Sequence, residues 1–200
     1  VGLPSGLAED RLKALGAAAA SSGSVALFHA VGSTPEAPTL AAALGHGTAA
    51  EELVIGMDQL RPARAELGGE VGGPITAVSL GTPHASTAEL TAIADLLGSR
   101  RVADGVELVV STARDTLATV EATGVAARLR EAGAELLVDT CTYISPILRS
   151  PGGPVMTDSG KWAYYAPANI GATVVLGSRR ECVESAVAGH VVRDAAWGST

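Results

Sequence analysis

Residues 156–165, Met-Thr-Asp-Ser-Gly-Lys-Trp-Ala-Tyr-Tyr, carry more functional groups than any other stretch of the chain. Thr157 and Ser159 supply hydroxyls, Asp158 a carboxylate, Lys161 an ammonium, and Tyr164 and Tyr165 phenols. Hydroxyls, an ammonium and the free amides of a helix start together suit a carboxylate or phosphate ligand. The same residues also describe a solvated loop running into a helix capped at Ser159, with the tyrosines packed beneath it. Gly160-Lys161 matches only the tail of a phosphate-binding P-loop, because the upstream glycine is missing.

Three further residues can do chemistry. His84 closes Gly81-Thr82-Pro83-His84, where a histidine following a strand serves as general base, hydrogen-bonding orienter or turn residue. Cys141 and Cys182 are the two cysteines, 41 positions apart and without a CxxC pair, which argues against a structural disulfide. Two thiolates past strand ends could ligate iron or zinc, yet two ligands do not make a stable cluster site, and a free cysteine also serves as a small buried hydrophobe. Asp139 and Glu36 are possible acid–base carboxylates, and the absence of Gly-x-Ser-x-Gly removes the serine-hydrolase elbow.

These residues need elements to position them. β-rich runs at Ser24–His29, Leu53–Gly56, Ile75–Gly81, Val106–Thr112, Glu135–Asp139 and Thr173–Gly177 predict six strands. Apolar residues at three- and four-residue spacing predict helices over Glu9–Ala20, Thr87–Leu97, Asp115–Ala132 and Arg180–Gly189. Ser86-Thr87-Ala88-Glu89 and Ser178-Arg179-Arg180-Glu181 have capping-box spacing, and Thr34-Pro35-Glu36 reads as an N-cap followed by proline. Gly68–Pro74 and Ser145–Pro154 read as irregular. The alternation predicts one α/β domain over 1–200, a three-layer α/β/α structure with a mainly parallel sheet. Ligands of such sheets bind beyond the carboxyl ends of the strands, which is where 29–34, 81–84, 111–114 and 139–142 fall.

Composition narrows the function classes. A formal net charge of −7 and a pI near 5.0 leave little basic surface for a nucleic-acid backbone beyond Arg100-Arg101 and Arg179-Arg180. No apolar run reaches the roughly 18–20 residues that span a bilayer, and no signal peptide is visible, so the reading is cytoplasmic, with neither membrane nor nucleic acid as partner. Aromatics at 3% and 24 glycines favour a tightly packed layer structure over a β-sandwich.

Five blocks in order then resemble one family. They are Gly-Ser-Val-Ala-Leu-Phe-His-Ala-Val-Gly-Ser-Thr-Pro-Glu-Ala at 23–37, Val-Ser-Leu-Gly-Thr-Pro-His-Ala-Ser-Thr-Ala-Glu-Leu at 78–90, Asp-Thr-Cys at 139–141, Thr-Asp-Ser-Gly-Lys-Trp-Ala-Tyr-Tyr-Ala-Pro at 157–167, and Cys-Val-Glu-Ser-Ala-Val-Ala-Gly at 182–189. Together the sequence resembles the aconitase X family over nearly its whole length. The resemblance implies an aconitase-like fold and a hydro-lyase acting on a small hydroxylated carboxylate, as in cis-3-hydroxy-L-proline and mevalonate 5-phosphate dehydratases. It implies an iron–sulfur cluster with Cys141 and Cys182 as ligands, His84, Ser159 and Lys161 in catalytic roles, and Thr34, Thr82, Thr157 and Tyr164 around the substrate. A cluster with one open iron wants three thiolates, so the third ligand is expected outside this chain. Thr82 stands where some relatives are expected to carry another small residue or cysteine. The start at Val1 fits the C-terminal part of a longer catalytic region, inactive alone, that works with an N-terminal portion and a small swivelling domain or subunit. Two rivals stay open: a metal-independent lyase relying on His84, Lys161 and Ser159, and a cluster-free binding or scaffolding domain.

Overall fold

A strand whose two faces are both buried needs a layer on each side, and Ala77–Ala85 (β1) is such a strand, since Ala77, Val78, Ser79 and Leu80 are all buried. In a computed structural model of the chain, which describes residues 3–45, 47–69, 72–150 and 152–194, β1 is the middle of a five-stranded sheet. The other strands are Glu107–Thr112 (β2), Ala134–Val138 (β3), Pro154–Thr157 (β4) and Thr173–Leu176 (β5). Every pairing is parallel and the order is β3-β2-β1-β4-β5.

Side chains alternate across a strand, and the core divides accordingly. Val78, Leu80, Leu108, Val110, Met156 and Val175 pack under Thr87–Leu97 (α4), Val125–Glu131 (α6) and Arg179–Ala188 (α8), with Val120 of Arg114–Ala122 (α5). Ala77, Val109, Val155 and Val174 face the opposite way, onto Trp162, Ala163 and Ala166 of Gly160–Ile170 (α7). Glu9–Gly23 (α1) lies against α7, and Met57–Gly68 (α3) lies against β5 and α7. A short helix, Leu40–Leu44 (α2), completes the set. The three-layer α/β/α architecture with a parallel sheet is as expected.

Local chemistry sets the helix starts. Ser86 and Ser178 form full capping boxes with Glu89 and Glu181, and the Ser159 side chain accepts the Trp162 amide at 3.1 Å. The departures have local causes. Ser24–His29 and Leu53–Gly56 have strand composition but no strand beside them among the described residues, and their backbones are irregular. Asp115–Ala132 is two helices, because Gly124 takes a left-handed φ of +78°. Thr34-Pro35-Glu36 makes turns, and the helix beyond it starts only at Leu40, capped by Thr39. β4 falls partly in a stretch read as irregular, its four residues being too few for a pattern and opening on a proline. Gly68–Pro74 includes Glu70 and Val71, and Ser145–Pro154 includes Pro151, all outside the described residues.

Glu181 fastens α3 and the chain's end to α8. It is 1% exposed, accepts the amides of Ser178 (2.6 Å) and Asp194 (2.9 Å) and the Arg64 guanidinium (3.2 Å), and lies 3.9 Å from Arg193. Burial pushes its carboxyl up, but these donors and cations outweigh burial and hold it below the ordinary value. A lowered folded pKa contributes stability above the unfolded carboxylate range, near ~4.3, and loses it as pH falls through the folded value. Glu181→Gln is therefore expected to lower stability at neutral pH and to flatten its decline in acid. Urea midpoints of both proteins between pH 3 and pH 7 check this, and parallel curves would refute the role.

Candidate functional site

The strand order reverses at β1: the chain leaves toward β2 and β3 on one side and returns to β4 and β5 on the other. At such a switch point the connections diverge and leave a crevice at the carboxyl ends of the strands. Here it is a cleft of about 470 Å³. Its floor is Gly81 and Thr82 from the end of β1 and Asp158, Ser159 and Gly160 from the end of β4, while Ser178, Arg179 and Arg180 close it from β5 and α1 covers it with Asp10 and Lys13. Gly81 has no substitute, since its φ is +78° and a Cβ there would meet the Ser111 carbonyl oxygen at 2.0 Å.

A charge network holds the walls together around Glu89. Its carboxylate accepts from Lys13 Nζ at 2.6 Å, from Arg179 Nη2 at 2.5 Å and from the Ser86 amide at 3.1 Å. Lys13 also bonds Asp10 at 3.0 Å and the His84 carbonyl at 2.9 Å, and Ser86 Oγ donates to Asp10 at 2.7 Å. Arg179 Nε reaches Asp158 at 3.1 Å. Burial drives the Asp10 carboxyl up, but Ser86, Lys13 and Arg179 reverse that and leave it lowered. Burial wins at Asp158, whose carboxyl stays raised despite Arg179.

Beside the cleft lies a second group around residues 139–145. His84 turns its ring there, with Nε2 3.4 Å from the Thr140 carbonyl oxygen. Asp139 has φ +54° and is held below the usual carboxylate range by hydrogen bonds from the Arg114 side chain and amide. Thr142 is buried, shares a 2.7 Å hydrogen bond with Ser79 and accepts the Trp162 indole N–H at 2.8 Å. Tyr143 stacks on Tyr165 at 5.5 Å, and Tyr164 meets Tyr165 edge-on. Burial and the neighbouring Cys141 push the Tyr143 phenol up to about 12.

The residues singled out in the sequence are only partly brought together. Thr82 and Ser159 line the cleft, and buried Thr157 supports Ser159 by accepting its amide at 3.3 Å. His84 and Cys141 belong to the 139–145 group, while Lys161 and half-exposed Tyr164 sit on the first turns of α7. Thr34 lies in a turn, bonded to the Ala30 carbonyl at 3.2 Å, and lines no part of the cleft. The two thiols lie on opposite faces of the sheet: Cys182 is fully buried in the core under α4 and α8, whereas Cys141 packs against the core that contains Trp162. Burial, with Asp158 and Glu181 nearby, raises the Cys182 thiol well above its ordinary value. The pair does not fit a shared cluster as one ligand set, and no three His, Cys, Asp or Glu side chains among the described residues converge as a metal site. Lys13 and Glu89 were not expected in the site, whereas Asp158 belongs to the 156–165 stretch singled out in the sequence. Glu89 was recognisable only as a capping residue, and the meeting of α1 with α4 and α8 has no signature in local sequence.

Comparison with known proteins decides the relationship. The family model of the aconitase X third domain matches residues 75–188, and that of the aconitase X second domain matches residues 1–65. The chain belongs to the aconitase X family. It is 41% identical over 183 residues to a cis-3-hydroxy-L-proline dehydratase of Pseudomonas aeruginosa, a match covering 90% of this chain and 32% of that enzyme. It is 34% identical over 188 residues to the phosphomevalonate dehydratase large subunit of Methanosarcina mazei, covering 90% of this chain and 42% of that subunit. The crystal structure of Thermococcus kodakaraensis aconitase X in its holo-form superposes with a TM-score of 0.76 at 28% identity, covering 90% of this chain and 44% of that one. The chain thus spans about a third to two-fifths of the length of the curated relatives it matches. No helix among the described residues is long and apolar enough to cross a membrane.

Thr142 anchors the 139–145 loop through two buried partners. Thr142→Val would leave the Trp162 N–H and the Ser79 hydroxyl unpaired, at about 1–3 kcal/mol each. The expected result is a lower denaturation midpoint with altered tryptophan fluorescence, and unchanged values in both would show that the loop is held by other contacts.

Proposed function

We propose that this chain forms part of a hydro-lyase of aconitase X type, a dehydratase that removes water from a small hydroxylated carboxylate. Cis-3-hydroxy-L-proline and mevalonate 5-phosphate are the two substrates that the relatives' names suggest. The observation that carries the reading is the sequence identity to these dehydratases across nine-tenths of the chain. The polar residues gathered at the strand ends are in keeping with it.

The activity belongs to the whole protein, in which an N-terminal portion and a small swivelling domain or subunit complete the site. Exposed apolar residues favour such partners: Leu27 is 76% exposed, Leu53 73%, Val54 86% and Ile55 64%. In the elimination a C–H bond beside the carboxylate breaks, its electron pair forms the C=C bond, the C–O bond breaks, and hydroxide leaves with a proton as water. His84 is the base in this reading, Lys161 and Ser159 hold or protonate the departing oxygen, and Thr82 binds substrate. Thr157 acts by positioning Ser159, while Thr34 and Tyr164 would meet substrate only with the remaining domains in place. An iron–sulfur cluster is the proposed cofactor of the whole protein. Cys141 and Cys182 do not fit it as joint ligands, so thiolates beyond Cys141 would come from outside this chain.

Full-length protein prepared anaerobically is expected to dehydrate one of the two substrates. His84→Ala should lower kcat by roughly 10²–10⁴-fold without lowering Tm. Failure of the iron-loaded protein to turn over either substrate would sink the dehydratase reading. Iron and acid-labile sulfide are expected to fall in Cys141→Ser and to persist in Cys182→Ser, and the reverse pattern would overturn this assignment of the thiols.

A further inference from the structure

Lys13 lines the strand-end cleft, where a cation reads first as the partner of a substrate anion. Its donors, however, are already engaged. An ammonium carries three N–H groups and accepts nothing. Lys13 Nζ has three acceptors within hydrogen-bond distance: Glu89 Oε2 at 2.6 Å, the His84 carbonyl oxygen at 2.9 Å and Asp10 Oδ1 at 3.0 Å. Two of these acceptors are carboxylates, so the charge is balanced as well. Burial works against the ammonium, but Glu89 and Asp10 outweigh burial and raise its pKa, which keeps it protonated and donating at neutral pH.

The main-chain acceptor is the informative one. The register between β1 and β2 passes from Leu80 opposite Val110 to Ala85 opposite Thr112, so residues 81–84 stand against Ser111 alone. On the other side, β4 pairs with β1 only as far as Ser79. A bulge of this kind re-aims the side chains it carries and takes its own backbone out of the ladder. Side chains hold the stretch instead: Thr112 Oγ1 donates to the Ala85 carbonyl at 2.7 Å, and Lys13 donates to that of His84. The hydrogen bond of the His84 ring itself, from Nε2 to the Thr140 carbonyl oxygen, is long at 3.4 Å. The following residues are gripped from the same turn of α1. Asp10, three residues before Lys13, accepts from Ser86 Oγ at 2.7 Å, and Glu89, bound to Lys13, accepts the Ser86 amide at 3.1 Å.

We propose that Lys13 is a positioning residue for His84: it sets the aim of the imidazole by clamping the His84 carbonyl, with Asp10 as its brace, and does not bind substrate. The proposal deepens the dehydratase reading and rests on it for the role of His84 as base. It places the aim of a base carried by the third-domain segment under the control of a helix from the second-domain segment.

The test compares full-length Lys13→Met with the parent, each assayed well below its Tm. The expected result is a kcat lowered roughly 10- to 100-fold with KM within about twofold, the pattern of a misaimed group rather than of a lost substrate contact. Hydrogen–deuterium exchange in the peptide spanning 81–89 is expected to quicken by at least about fivefold. Asp10→Ala keeps the ammonium and removes its brace; it should quicken exchange in the same peptide and lower kcat by less, and it carries the test if Lys13→Met does not fold. A KM raised about tenfold with kcat retained would make Lys13 a substrate ligand and overturn the proposal, as would an unchanged kcat in both variants. Exchange is read independently of activity. In a protein that dehydrates neither substrate, quickened exchange would support the clamp and leave only the dehydratase reading refuted, whereas unchanged exchange in both variants overturns the clamp whether or not the protein is a dehydratase.

Discussion

Glu89 stands where three helices meet, and the shape of the cleft depends on its carboxylate. It caps its own helix by accepting the Ser86 amide, draws α1 in through Lys13, and draws α8 in through Arg179, which also holds Asp158 at the end of β4. The arrangement is half-buried, with the Glu89 side chain 12% exposed. Loss of one partner would leave charge stranded away from water, which costs more than the pair contributes when intact. The cleft is therefore bounded by mutually dependent charges, and its geometry is shared between the segment matching the second domain of the family and the segment matching the third.

Much of the third-domain segment is legible in the sequence because its rules are local. The capping boxes at Ser86 and Ser178 and the N-cap at Ser159 stand where the residue pattern places them, and four of the five strands follow from β-rich runs. The fifth, Pro154–Thr157, is short, begins with proline and is buried by its neighbours rather than by its own pattern. Before residue 60 the helix over Glu9–Ala20 stands as α1, but the two strands fail for one reason: Ser24–His29 and Leu53–Gly56 have the composition of strands and no partner strand beside them among the described residues. A strand is a property of two segments, and one segment shows only half of it.

The site was legible in its residue types and less so in its grouping. Thr82 and Ser159 meet at the switch point between β1 and β4, as the expectation for strand carboxyl ends requires. Cys141 and Cys182 both follow strands closely, yet sequence distance says nothing about which face a side chain takes. Cys182, on the buried side of α8, lies under one layer while Cys141 lies under the other. Lys13 could not be placed in the site from sequence, because its role comes from where α1 docks, a long-range contact without a local signal.

Leu53, Val54 and Ile55 form a run of three neighbouring apolar residues, each well exposed, with Leu27 similarly open on the other unpaired stretch. Clustered exposed apolar side chains are the kind of surface that buries itself against another apolar surface. Left uncovered, such a run favours self-association.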